Sequence, residues 1–158
     1  MNWQEVCEHP SLQDLPFKIE LDENGKIILS PAKVYHSFFQ GEIAFLLHSL
    51  LKDGKTLTEC AIKTSKGTKV ADVAWASMDV WAIIKTQTEA SIAPEICVEI
   101  ISDSNTQQEM VEKRQLYFEA GAKEVWMCDE QGDMSFYNTQ DQLIHSELVS
   151  GFPLKIDV

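Results

Sequence analysis

Two acidic residues stand in segments that otherwise have the composition of buried strands: Asp72 in KVADVAWAS and Glu99 in EICVEIIS. Side chains alternate along a strand, so Ile96, Val98 and Ile100 share one face, and Cys97, Glu99 and Ile101 share the other. A carboxylate among apolar neighbours is costly unless something pairs with it. Two such carboxylates on adjacent strands repel each other unless a cation neutralises them. A hard divalent ion does this, because Mg²⁺ is held by one or two carboxylates and keeps several waters. The plainer alternative is that both acids reach solvent at strand ends. Further along, Glu109, Lys113 and Tyr117 are spaced i, i+4, i+8 and lie on one face of a helix. A lysine aimed at a carboxylate pair can hold a phosphate or stabilise charge that builds in a transition state. On spacing alone, the set also fits an ordinary Glu–Lys surface pair beside a packed tyrosine.

The elements that must position these groups follow from the flanking sequence. KIELDENGKIILSP has two apolar-rich runs around Asn24-Gly25, a strong hairpin signal. Ser37 and Gln40 have capping-box spacing, which predicts a helix opening at Ser37. Phe39, Ile43, Leu46, Leu47 and Leu50 give that helix an apolar stripe. Segments 57–63 and 69–76 read as strands joined through Lys66-Gly67. Pro94 introduces the β-branched run around Glu99. A second helix is expected over 106–120, with Thr106 and Glu109 as its capping box and Gly121 as its stop. EVWMCD, MSFYN and residues 144–149 read as further strands. Residues 1–16, punctuated by Pro10 and Pro16, read as a loose N-terminal arm. The expected fold class is α/β (α+β): one domain over 1–158, with a mixed, mainly antiparallel central β-sheet flanked by helices and an N-terminal β-hairpin.

The ordered set VEIISDSN…EMVEKRQLYFEAGAKEVWMCD resembles the Uma-two family, a bacterial family of restriction-endonuclease type. KIELDENGKIILSPAKVYHS resembles its opening hairpin with the following Ser-Pro and histidine, and KVADVAWAS its aspartate strand. The likeness spans roughly residues 15–158. No single motif is specific, but the ordered set is. The family is similar to the PD-(D/E)XK nucleases, which implies a restriction-endonuclease-like core, a homodimer and a site holding Mg²⁺ or Mn²⁺. Carried onto this sequence, the resemblance implies Asp72 and Glu99 as metal ligands, with the backbone carbonyl of Ile100 as a third. Ile101 stands where many relatives have the motif lysine, and Lys113 on the second helix is the implied replacement. Glu20, Glu42 and His36 are auxiliary candidates, and Ser102, Glu109 and Tyr117 are supporting ones. Ala71, Asp103 and Glu109 depart from the family's commoner proline, proline and aspartate.

Composition bounds these expectations. The chain has 13 basic and 25 acidic side chains, a formal charge of −12. That opposes a general nucleic-acid coat or a polybasic membrane binder. DNA contact is therefore expected to be weak or assisted. Lys52, Lys55, Lys63, Lys66 and Lys69 run up to Asp72 and suggest a phosphate-facing edge. The sequence contains no apolar run near the roughly 20 residues that cross a membrane. Cys7, Cys60, Cys97 and Cys128 form no CxxC pair, and a reducing cytoplasm is the expected compartment. The histidines show no HxxxH spacing, and there is no P-loop, dinucleotide fingerprint or serine elbow. The leading expectation is metal-dependent hydrolysis of DNA phosphodiester bonds by Asp72, Glu99 and Lys113. The alternative is a nuclease-fold module without turnover that binds or regulates a protein partner.

Overall fold

The computed structural model describes residues 1–158. Near the N-terminus, β1 (Phe17–Leu21) and β2 (Ile27–Pro31) pair antiparallel as a separate two-stranded sheet. The turn forms where Asn-Gly predicted it. Gly25 has φ 75, and the Asp22 carboxylate accepts the N–H groups of Asn24 and Lys26. The expected loose arm is partly helical. Trp3–Glu8 forms a short helix, α1, closed by a capping box between Asn2 and Glu5, and Val6 is buried beneath it.

The first long helix, α2 (Val34–Leu50), begins earlier than predicted. Lys33 occupies its cap position without a side-chain cap, and the Ser37 N–H is already donated to Lys33 O inside the helix. The capping-box spacing at Ser37 was therefore coincidental. A six-stranded sheet follows: β3 (Gly54–Thr64), β4 (Gly67–Ser77), β5 (Ile96–Ile100), β6 (Glu124–Cys128), β7 (Met134–Tyr137) and β8 (Gln142–Leu143), paired in that order. Only β5 and β6 are parallel. The expected last strand at 144–149 is displaced, since β8 ends at Leu143 and the segment beyond it is turns. A helix that periodicity did not suggest, α3 (Met78–Ile84), leaves β4 under a Ser77 cap. The helix α4 (Gln107–Ala120) has the Thr106–Glu109 capping box and ends at Gly121 with φ 119, as expected.

The sheet has one core on each face. Phe39, Ile43 and Leu47 of α2 pack with Ile96, Val98, Ile100 and Trp126. Met110 and Tyr117 of α4 pack on the other side with Cys97, Val125 and Met127. The alternation along β5 is thus the one period two demands, and it turns Glu99 toward α4. Burying this apolar surface is the main favourable term holding the layers together. No helix is long and apolar enough to cross a membrane.

Two local features shape the edge where β4 meets β5. β5 pairs only with Val73–Trp75, so the first half of β4 has no strand on that side. The hairpin covers this gap instead: the Glu20 carboxylate accepts the Val70 N–H at 2.7 Å, and Lys69 Nζ donates to Leu21 O at 3.2 Å. Gly67 makes the approach possible. A Cβ there would lie 2.3 Å from Leu21 O, and its φ of 88 is left-handed, a combination only glycine tolerates.

Candidate active site

The β4–β5 register of Val73↔Val98, continued one step, places Asp72 opposite Glu99. The ladder stops there because Asp72 substitutes a side chain for a backbone acceptor: its Oδ2 accepts the Ile100 N–H at 2.8 Å. On β3, Glu59 falls opposite Asp72 between the pairs Thr58↔Val73 and Cys60↔Ala71, and it has the left-handed φ of 53. The strands are irregular on both sides of the aspartate, which frees Asp72 to turn out of the sheet toward Glu99.

Both carboxylates are nearly inaccessible, at 1% and 3% exposure. Each has one oxygen anchored by the protein. Asp72 Oδ2 takes the Ile100 N–H, and Glu99 Oε1 takes the Tyr117 hydroxyl at 2.6 Å. Their other oxygens meet at one cation: Lys18 Nζ lies 3.1 Å from Asp72 Oδ1 and 3.3 Å from Glu99 Oε2. Lys113 Nζ, reaching down from α4, lies 2.9 Å from Glu20 Oε2 and 3.2 Å from Glu99 Oε1. His36 Nε2, in the first turn of α2, is 3.2 Å from Asp72 Oδ1. Three buried acids, two lysines and a histidine therefore share one site.

The electrostatics separate the three acids. Burial pushes Asp72 toward its neutral form, but the Lys18 ammonium, the His36 ring and the Ile100 N–H outweigh it and hold the carboxyl well below the usual range. Burial acts on Glu20 too, yet Lys113, Lys18 and the Val70 N–H bring its carboxyl down. At Glu99 burial prevails over Lys113 and Lys18, helped by the charges of Asp72 and Glu20, and the carboxyl is raised. Lys18 is also buried, but Glu99, Asp72 and Glu20 hold it charged and raise its pKa. Burial drives the Tyr117 phenol well above its ordinary value, so it is a donor.

The group opens into a cleft of about 920 Å³ between the hairpin, the start of α2 and α4. Of the residues singled out from sequence, Asp72, Glu99, Lys113, Glu20, His36 and Tyr117 converge. Ile100 is adjacent, and its N–H is donated to Asp72 Oδ2. Ser102 and Glu109 line the mouth, where Ser102 binds Asn105 and Glu109 closes the α4 capping box. Glu42 lies on α2 outside the cleft lining. The lysine edge is narrower than expected. Only Lys66 and Lys69 of that stretch line the cleft, and Lys66 is paired with Glu112 while Lys69 holds Leu21 O.

Lys18 is the residue that sequence reasoning missed. Its signal was available: Lys18 and Glu20 stand at i and i+2 on β1 and share a face, so a candidate Glu20 brings Lys18 with it.

The donor set suits a hard divalent ion, since it is made of carboxylate oxygens. The ammonium between Asp72 Oδ1 and Glu99 Oε2 marks the point where positive charge meets both acids. No group of three or more His, Cys, Asp and Glu side chains is arranged to hold a metal ion by itself.

A family model described as "Putative restriction endonuclease" (Uma2) matches residues 3–152. No curated protein matches the sequence. Among solved structures, the chain is similar to the crystal structure of "a putative nuclease belonging to DUF820 from Anabaena variabilis ATCC 29413". The TM-score is 0.71 at 21% identity, over 93% of this chain and 85% of that one. At that identity the likeness speaks for the shared fold.

Proposed function

The chain belongs to the Uma2 family, described as restriction endonucleases, and from that premise we propose that it hydrolyses DNA phosphodiester bonds with Mg²⁺ or Mn²⁺. One observation carries the reading. Asp72 and Glu99 are each anchored through one oxygen and present the other toward a single cation. A structural ion pair needs no such matched arrangement of two buried acids.

In this reading Asp72 and Glu99 would hold the ion, and the neighbouring Glu20 carboxylate would add negative charge to its surroundings. When bound, the ion supplies an activated water and polarises the phosphate. The protein does the rest. Tyr117 and the Ile100 N–H fix the two carboxylates, so their orientation costs little at the moment of reaction. Lys113 stands beside Glu99 and Glu20, where it can leave either acid to meet a phosphate oxygen and offset the negative charge that develops there. Water adds to phosphorus as the bond to the bridging oxygen breaks; the attacking water gives up one proton and the leaving oxygen takes up one. His36, 3.2 Å from Asp72, would pass protons between these oxygens and solvent at the cleft edge. A homodimer would present two such sites to the two strands of a duplex; that assembly, and the cytoplasm as its compartment, are part of the reading.

The test is cleavage of single-stranded, duplex and branched DNA by pure protein with Mg²⁺ or Mn²⁺. The wild type is expected to cut at least one form, and Asp72→Ala, Glu99→Ala and Lys113→Ala are expected to lose that activity. Equal cleavage by wild type and the two acid variants would refute the assignment.

A further inference from the structure

Lys18 is a charged side chain 13% exposed, on a hairpin that pairs with no strand of the main sheet. Its ammonium reaches the two carboxylate oxygens left over by the Ile100 N–H and the Tyr117 hydroxyl, of which Asp72 Oδ1 also meets His36 Nε2 at 3.2 Å. Resting on the reading above, we propose that Lys18 is a built-in competitor for the divalent ion, occupying its place until the ion displaces it.

The shared oxygens set up the competition. Oxygen ligands hold Mg²⁺ at about 2.0–2.1 Å. An ion drawn to Asp72 Oδ1 and Glu99 Oε2 would compete for the same two atoms with an ammonium already 3.1 and 3.3 Å from them. Like charge adds to the competition. Lys113 does not have this role, since it bonds Glu20 and the anchored Oε1 of Glu99, on the far side of that carboxylate. Without an ion, Lys18 keeps three buried acids from facing one another with Lys113 as their only ammonium, which explains a lysine at this point. With an ion, the freed ammonium remains in the cleft beside a bound phosphate, tethered by β1. The hairpin need not move: Glu20 holds Val70 N–H and Lys69 holds Leu21 O, so only the lysine stem must swing. A site occupied by its own cation binds a ligand more weakly in proportion to the fraction that is open, so a site closed nine times in ten loses about tenfold in affinity.

The experiment is calorimetric titration of Mn²⁺ into wild type, Lys18→Met, Lys18→Arg and Asp72→Asn, with thermal unfolding of each in EDTA and in Mn²⁺. Lys18→Met is expected to bind Mn²⁺ about tenfold tighter than wild type. It should also unfold at lower temperature in EDTA and recover most of the deficit in Mn²⁺. Lys18→Arg keeps the charge and should bind Mn²⁺ no better than wild type, which tests the inference even if Lys18→Met fails to fold. Equal affinities for wild type and Lys18→Met, with binding lost in Asp72→Asn, would overturn the competitor and leave the nuclease reading intact. A Lys18→Arg protein that binds tighter than wild type would also overturn it. Binding in Lys18→Met alone would support the competitor and remove the metal-dependent reading for the wild type. Absence of Asp72-dependent binding in every protein would overturn both.

Discussion

Removing one oxygen from Tyr117 separates an organised site from a merely buried one. The hydroxyl is fully buried and donates to Glu99 Oε1 at 2.6 Å. Phenylalanine fills the same space, so Tyr117→Phe opens no cavity and isolates the hydrogen bond. A bond to a charged group contributes about 1.5–3 kcal/mol. One fact places this one at the low end: Lys113 Nζ still stands 3.2 Å from the same oxygen. A loss of about 1.5 kcal/mol lowers the melting temperature of a domain of this size by about 3–6 °C. Circular dichroism melting at neutral pH measures it. The same variant should bind Mn²⁺ about 10–100-fold more weakly, because the second partner of a ligand fixes its orientation. A melting temperature within about 1 °C of wild type would refute the reasoning, since it would mean that Lys113 alone satisfies Glu99 Oε1 and the hydroxyl contributes nothing.

Other perturbations test other parts of the molecule. Asp72 and Glu20 are held below the usual carboxylate range, so the stability they contribute is present above about pH 4 and lost as pH falls through their folded-state values. Asp72→Asn should therefore flatten the acid limb of melting temperature against pH; Glu99, whose carboxyl is raised, should lose less stability at neutral pH on change to Gln. Buried Glu124 accepts Trp126 Nε1 and the N–H groups of Glu147 and Leu148. Glu124→Ala should cost about 3 kcal/mol by denaturant titration and speed hydrogen exchange at those two amides. Gly67→Ala forces a Cβ against Leu21 O and should cost about 2 kcal/mol or more, whereas Gly41→Ala, in open space on α2, should stabilise by up to about 1 kcal/mol. Paired denaturant midpoints decide between them.

The legible parts of the sequence were those set by local chemistry. Asn24-Gly25, the Thr106–Glu109 box and Gly121 each mark a boundary through a backbone requirement that few residues meet. The two-residue period of EICVEIIS placed Glu99 on one face with Cys97, which is the face that packs on α4, and helical spacing put Lys113 and Tyr117 together on one side of that helix. The parts that misled were set by tertiary contact. α2 starts at Val34, where no side chain caps it, and α3 has only two turns, too short for the apolar face of Val80, Trp81 and Ile84 to show a period. Lys18 was hidden for a similar reason. A lysine on a short hairpin strand carries the same local signature whether it faces water or, as here, two carboxylates from the other sheet.

The site is assembled from distant parts of the chain. Lys18 reaches a carboxylate 81 residues away, Glu20 reaches an amide 50 residues away, and Tyr117 closes on Glu99 from 18 residues downstream. Contacts at such separation form after local ones, because loop closure must come first. A chain emerging from the ribosome therefore exposes Asp72 and Glu99 before Lys113 and Tyr117 leave the exit tunnel. Until α4 emerges and folds, Glu99 Oε1 has neither of its partners and Lys18 is the one ammonium available to the acids. Nascent or truncated chains thus carry both carboxylates without the arrangement that orients them, and any hydrolysis that depends on it begins only when α4 docks.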